Sequence, residues 1–239
     1  MLKKVNLDKV LFLDIETVSQ HKSYSDLDEK SAELYSAKTR FIQERESLSP
    51  EEVYDRAGIY AEFGKIVCIS VGFVFQGTNG KSIKIKSFYG EDERQLLRDF
   101  ADLLNSNYST SYHILCGHNA KEFDFPFIAR RMLINGLDLP YTLNMAGKKP
   151  WEIPHLDTME LWKFGDFKHY TSLSLLCHIF KVPTPKDDIS GADVGRVYWE
   201  EGDLERIMIY CQKDVVALIQ LFLKFRGETL VDEENILLP

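Results

Sequence analysis

The chain has 239 residues, 44% hydrophobic and 28% charged. These are ordinary proportions for a soluble globular protein, one large enough to hold a core without disulfides or a structural metal. The net charge of −8 argues against an extended, avid grip on a nucleic-acid duplex, which would need many phosphates neutralised. It leaves room for a site where bound cations meet a few phosphates. Cys68, Cys116, Cys177 and Cys211 stand in apolar surroundings without C-x-x-C spacing, so buried, reduced thiols in a cytoplasmic protein are expected. No run approaches the ~18 apolar residues of a membrane span, and the Lys3-Lys4 start lacks a small-residue cleavage site.

In chain order, residues 9–15 form a nearly continuous apolar run, which predicts a central strand buried on both faces. From about residue 19 to 61 the composition shifts to Glu, Lys, Ser and Tyr with helical spacing. Ser49-Pro50-Glu51-Glu52 there makes a good helix start. Residues 20–61 are therefore expected to be a helical insertion after the first strand. Strands are predicted over 66–75 and 82–88, joined as a hairpin by turn residues 76–80. A helix over 92–104 and a strand over 113–117 follow, then a helix over 123–135 that Gly136 stops. A strand over 153–158 and a helix over 172–180 come next. Residues 182–202 read as loop, with Pro183, Pro185, Gly191, Gly195 and Gly202. A long helix over 203–225 closes the pattern. Hairpin strands followed by alternating helices and strands predict an α/β fold with a mixed sheet flanked by helices.

Three stretches carry chemistry. In Leu13-Asp14-Ile15-Glu16-Thr17, strand alternation puts Asp14 and Glu16 on one face, about 6.6 Å apart. Two carboxylates there are either solvated at a strand end or held by a hard divalent ion with oxygen ligands. In 117–127, Asp124 falls at the start of a helix just after a strand-to-helix turn. It reads as a plain N-cap, as an acid facing the strand ends, or as both. In the last helix Tyr210 and Asp214 are four residues apart and share a face. Asp214 lies on the shoulder of the apolar stripe, where a metal or an ion pair with, for example, Arg206 would satisfy it, and Tyr210 could equally be a packed core tyrosine.

Other polar and aromatic residues carry lesser signals. Asp157 suits a cap on the next segment better than a fifth acid. His118 fits a turn histidine and Lys186 a solvated lysine, although either could reach a phosphate. Trp151, Trp162 and Trp199 could stack on bases, but packing is the default for tryptophan.

The order of these stretches resembles the DEDD exonuclease superfamily: an acid pair on the first strand, an acid at a strand-to-helix turn, then Tyr and Asp on a late helix. Tyrosine four residues before the last acid is similar to the DEDDy branch; the other branch has histidine five before it, where this chain has Ile209. The wording is most similar to the proofreading exonuclease domain of B-family DNA polymerases and its stand-alone bacterial relatives. Segments 157–161, 172–180 and 189–194 also resemble that group. The likeness spans 9–19, 63–75 and 113–225 and leaves the insertion unassigned.

The resemblance implies a ribonuclease H-like sheet of five to six strands in one exonuclease domain over residues 1–239. It implies a 3′→5′ exonuclease acting on the 3′ end of DNA, with single-stranded DNA the expected substrate, by a mechanism using two divalent ions, Mg²⁺ or Mn²⁺. Asp14, Glu16 and Asp214 would hold one ion and Asp14 with Asp124 the other, while Tyr210 would orient the attacking water. Thr17, Val18, Asn119 and Phe123 would position the terminal nucleotide. An exoribonuclease of the same superfamily fits the same motifs, since the discriminating contact is to the 2′-hydroxyl. A non-catalytic binding module predicts a missing acid, and none is missing. An endonuclease on this fold does not fit the Tyr-x-x-x-Asp helix. With no polymerase module after residue 239, any proofreading role is expected to act in trans.

Overall fold

A computed structural model describes residues 2–78, 80–166, 170–183 and 189–239. Lys186, Pro185 and the tip of the predicted 76–80 turn at Asn79 lie outside the described residues. Six described strands form one sheet: β1 (Val10–Ser19), β2 (Gly64–Gly77), β3 (Gly80–Tyr89), β4 (Ile114–Gly117), β5 (Leu156–Asp157) and β6 (Ile236–Leu237). Their order is β5-β4-β1-β2-β3-β6. The β1–β2 and β2–β3 pairs are antiparallel, and the β1–β4, β4–β5 and β3–β6 pairs are parallel. This mixed sheet flanked by helices is the predicted ribonuclease H-like fold.

The helices are α1 (Glu29–Glu46), α2 (Pro50–Val53), α3 (Glu93–Asn107), α4 (Asp124–Ile134), α5 (Thr158–Lys163), α6 (Leu173–Phe180), α7 (Val194–Arg196) and α8 (Leu204–Arg226). Alternation along β1 divides the core. Leu11, Leu13 and Ile15 join Leu97, Phe100, Phe125 and Ile128 from α3 and α4 on one face. Val10 and Phe12 meet Val215, Leu218, Ile219 and Phe222 of α8 on the other. Phe12 and Phe222 pack edge to face with ring centroids 5.2 Å apart. Asp14 and Glu16 continue the α8 side of this alternation, so the strand that builds the core also presents two acids on its α8 face.

Several predicted boundaries move. β1 runs on to Ser19, past the acids, with a β-bulge between Glu16 and Thr17 after which its pairing with β2 resumes in a shifted register. The predicted strand over 153–158 shrinks to Leu156–Asp157. Pro154 cannot donate to a ladder, and Asp157 accepts from the Met159 and Glu160 amides at 2.9 and 3.2 Å, which starts α5 at Thr158. The predicted loop over 182–202 contains α7 and a π-helical turn, Val197–Glu201; its Gly and Pro content concealed them. The short β6 was not anticipated. The insertion is helical as expected, with Ser49 and Glu52 forming a reciprocal capping box around Pro50.

A buried ion pair ties α4 to its surroundings. Arg131 donates to Glu93 of α3 at 2.8 and 2.5 Å and to the Ala61 carbonyl at 2.8 Å, while Glu93 also accepts the Ile66 amide at 2.7 Å. These bonds fix α4, and with it Asp124, against β2 and the end of the insertion.

His155 performs a similar task beside β4. Its Nδ1 accepts the Leu115 amide at 3.1 Å, and its Nε2–H donates to the Thr142 carbonyl at 2.7 Å. Burial pushes its pKa down from 6.5 to about 4. The neutral ring therefore contributes stability that is complete above pH ~6.5 and is lost as pH falls toward ~4, amounting to about 2 kcal/mol at pH 5. The expected result is that thermal melts of the wild type lose more stability from pH 7 to pH 5 than those of His155→Gln. Parallel pH curves would contradict this assignment.

Candidate active site

The site lies where the C-terminal end of β1 meets the start of α4 and the first half of α8. Asp14 and Glu16 reach it because residues two apart share a strand face. The bulge after Glu16 interrupts the regular pairing just beyond them before it resumes at Thr17. Asp124, the first residue of α4, is buried and accepts the Ile15 amide at 3.2 Å, so β1 itself holds that carboxylate. Tyr210 and Asp214, one helical turn apart on α8, complete the group, with the Tyr210 hydroxyl hydrogen-bonded to Asp214.

Electrostatics shows how tightly the four acids are grouped. Burial first, then the charges of Asp124, Glu16 and Asp214, raises the Asp14 carboxyl well above its usual value of 3.8. Burial and then Asp214, Cys68 and Asp124 raise Glu16 likewise. Burial pushes Asp124 up to about 7, aided by the Asp157 charge and opposed by its own and the Ile15 amide. Burial and then Asp214, Glu16 and Asp14 raise the Tyr210 phenol, which stays protonated across the working pH range. Among the described residues no Lys, Arg or His side chain pairs with Asp14, Glu16 or Asp124. Desolvated like charges without a cationic partner are costly. Oxygen donors of this kind fit hard divalent ions, so the donor chemistry is suited to the implied cofactor.

The turn that presents Asp124 has its own support. The Asp157 carboxylate, buried at the end of β5, accepts the Asn119 amide at 3.0 Å and the Lys121 amide at 3.0 Å, besides the two α5 amides. Expected mainly to cap the following segment, Asp157 does so and also organises the turn before Asp124. His118 sits in that turn, with ring nitrogens 2.8 Å from Thr158 Oγ1 and 2.8 Å from the Thr171 carbonyl. It is a fixed turn histidine.

The nucleotide-contact residues expected from sequence are divided. Thr17 and Phe123 are half-buried and line a cleft of about 680 Å³ beside the acids. Val18 also lines it, but its side chain is buried among Val67, Ile189 and Val197, leaving its backbone to face the cleft. Asn119 adopts a left-handed conformation (φ 62°) and shapes the turn, its carbonyl accepting the Glu122 and Phe123 amides at 3.2 and 3.0 Å. Trp162 is core, stacked on Phe225 at 6.1 Å. Trp151 is exposed. Trp199 lines the cleft, its indole N–H donating to Ser19 Oγ at 3.0 Å.

Sequence reasoning passed over Cys211. One of its ligand-capable neighbours is close: the thiol lies 3.4 Å from the Asp14 carbonyl and 3.7 Å from Asp14 Oδ2. Asp14, Glu16 and Cys211 bring their donor atoms within 4.8 Å of one another. Adjacency to Tyr210 in α8 is the signal that could have placed it there.

Residues 59–234 match the model of a family described as a predicted 3′–5′ exonuclease related to the exonuclease domain of PolB. The chain belongs to this family. The match includes Asp124, Tyr210 and Asp214 and begins after Asp14 and Glu16. Among solved structures, the family B DNA polymerase from the hyperthermophilic archaeon Pyrobaculum calidifontis superposes with a TM-score of 0.55 at 16% identity, over 90% of this chain. The chain spans 24% of that polymerase's length, and the likeness is one of fold. No curated protein matches the chain. As a member of this family the protein is a predicted 3′–5′ exonuclease, and no helix among its described residues is long and apolar enough to cross a membrane.

Proposed function

We propose that the protein removes nucleotides one at a time from the 3′ end of unpaired DNA, using two divalent ions, Mg²⁺ or Mn²⁺, held by Asp14, Glu16, Asp124 and Asp214. One observation carries the reading: the charges of Asp124 on α4 and Asp214 on α8 both raise the Asp14 and Glu16 carboxyls of β1, which groups acids from three separate elements beside an open cleft. Asp14, Glu16 and Asp214 would hold one ion, and Asp14 with Asp124 the other. Ions bound there would supply a nucleophilic water at neutral pH and stabilise the oxygen that departs. The chain's own residues do the remaining work. The protonated Tyr210 hydroxyl donates its one proton to Asp214, which leaves its oxygen to accept a hydrogen bond from the attacking water and orient it. Ile15 and the Asp157-braced turn hold Asp124 still. Thr17, Phe123 and the Val18 backbone shape the wall against which the terminal nucleotide rests.

An enclosed wall beside the acids suits a chain end better than a continuous strand. A 5′-labelled single-stranded DNA oligonucleotide with Mg²⁺ should give a descending ladder on a denaturing gel, and chelator should stop it. Blunt duplex should be a poorer substrate, because freeing each base costs roughly a few kcal/mol. A 3′-phosphate should block the reaction, and a 5′-phosphate should not. Internal cleavage of a circular single strand would overturn the assignment. A ladder from RNA but not DNA would keep the chemistry and change the substrate.

A further inference from the structure

The insertion that no motif explains forms one side of the cleft. Tyr35, Tyr54 and Ala57 make a small core of its own, with Tyr24, Leu27, Tyr60 and Phe63 packed around it. The Tyr35 hydroxyl donates to the Val53 carbonyl at 2.9 Å, and Tyr35 and Phe63 meet edge to face at 5.1 Å. This unit is pressed onto β1 directly beyond the acids. A Cβ on Gly58 would lie 3.0 Å from the Val18 backbone, so backbone meets backbone at that point. The insertion is therefore a fixed wall at the site's rim.

The π-helical turn lines the same cleft. Such turns interrupt the regular helical ladder and are frequent at functional sites. Trp199 projects from it into the cleft, tied to Ser19 by its indole N–H, with the Lys65 ammonium 4.9 Å from its ring centre. From the insertion side Ile59 faces the same space with 53% of its surface exposed. Lys22, Arg56 and Arg196 also line the cleft, but Glu16, Asp55 and Glu200 offset them. Arg56 is further engaged by Glu46 at 3.0 and 2.6 Å. The cleft thus offers apolar and aromatic faces more than net positive charge. Its volume lies within the roughly 300–1,000 Å³ of small-molecule sites, which suits a short unpaired run and not a duplex.

We infer that this cleft is a subsite for unpaired nucleotides just inside the 3′ end, gripping their bases between Ile59 of the insertion and Trp199 of the π-turn. The inference rests on the exonuclease reading for its orientation, but binding can be measured without hydrolysis. Base–aromatic stacking tolerates any sequence, because every base has a π-face. Binding dominated by stacking should also respond weakly to salt.

The test uses the full chain with Trp151→Phe and Trp162→Phe, so that Trp199 is the sole tryptophan, titrated with unlabelled oligo(dT) in Ca²⁺. Saturable quenching is expected, with affinity falling about tenfold or less between 50 and 200 mM salt. Ile59→Asp should weaken binding at least about tenfold, and in steady-state hydrolysis its loss should fall on KM more than on kcat. Measured instead by the anisotropy of a 5′-labelled oligo(dT), Trp199→Phe should retain more affinity than Trp199→Ala. If oligo(dT) does not quench Trp199, or Ile59→Asp binds like wild type, the subsite is wrong even where a 3′→5′ ladder persists. Equal quenching by blunt duplex would also overturn it. Saturable quenching in a protein that releases no nucleotides would support the subsite while refuting the exonuclease reading.

Discussion

Asp14→Asn is expected to abolish nuclease activity and to raise the melting temperature of the metal-free protein. Asp14 occupies the centre of the acid group: its carboxyl is raised by burial and by the charges of Asp124, Glu16 and Asp214 together. It is also the residue proposed to touch both ions, so losing its charge should weaken both sites. The stability effect has a defined pH window. A carboxyl whose folded pKa is raised binds its proton more tightly in the folded than in the unfolded chain. Its burial is therefore tolerated at low pH, and stability is lost as pH rises from the ordinary 3.8 toward the raised value. At pH 7–8 the amide removes this penalty, and a rise on the order of 2–5 °C is reasonable for a chain of this length. Near pH 4 wild type and variant should melt together. Added Mg²⁺ should stabilise the wild type, because an ion binding only the folded state shifts the equilibrium, and should do so far less for the variant. Paired melts at two pH values, with and without Mg²⁺, and a turnover assay decide the matter. Near wild-type turnover at saturating Mg²⁺ would remove Asp14 from the site's centre.

The sequence exposed the site better than its supports. Asp14 and Glu16 were placed together by period-two alternation, and Tyr210 with Asp214 by helical spacing, because both are local geometric consequences of backbone type. The same logic located most of the sheet: β1 to β4 are long or apolar enough to announce themselves. What remained hidden depends on contacts between distant segments. The two-residue β6 exists because it pairs with Ile83 and Lys84, about 150 positions earlier. β5 is cut short because the Asp157 side chain takes amides from two segments at once, and no periodicity encodes that. The π-turn holding Trp199 sits in a Gly-rich stretch whose composition suggests loop. The insertion's helices were legible from Ser49-Pro50-Glu51-Glu52 and the apolar spacing, but its location was not. Gly58 has to meet Val18 in space before the insertion can be seen as a wall of the cleft.

Tyr210→Phe should separate two roles that its position on α8 leaves combined. The ring is half-buried beside Met208 and Leu204 in the cluster around Ile207 and Cys211, and phenylalanine preserves that packing. Only the hydroxyl bonded to Asp214 is lost. Fold and metal binding should therefore persist, with melting temperature and its Mg²⁺ response close to wild type. Catalytic rate should fall by roughly 10²–10⁴, the usual effect of losing a positioned acid–base or orienting group. The direction of the pKa shift sharpens the expectation. Burial and three neighbouring carboxylates raise the phenol above its ordinary value of 10.0, so it stays protonated, donating to Asp214 and accepting from the water, and does not work as a base. The activity of the wild type should then show no limb between pH 7 and 9 that Tyr210→Phe removes; the variant's profile should be lower and parallel. The measurement is kcat at saturating Mg²⁺ across that range for both proteins. A rate within a few-fold of wild type would make Tyr210 a packed tyrosine that happens to touch Asp214. A variant that lost Mg²⁺ stabilisation would instead place the hydroxyl's role in holding Asp214 ready for the ion, and the water would have to be oriented by another group.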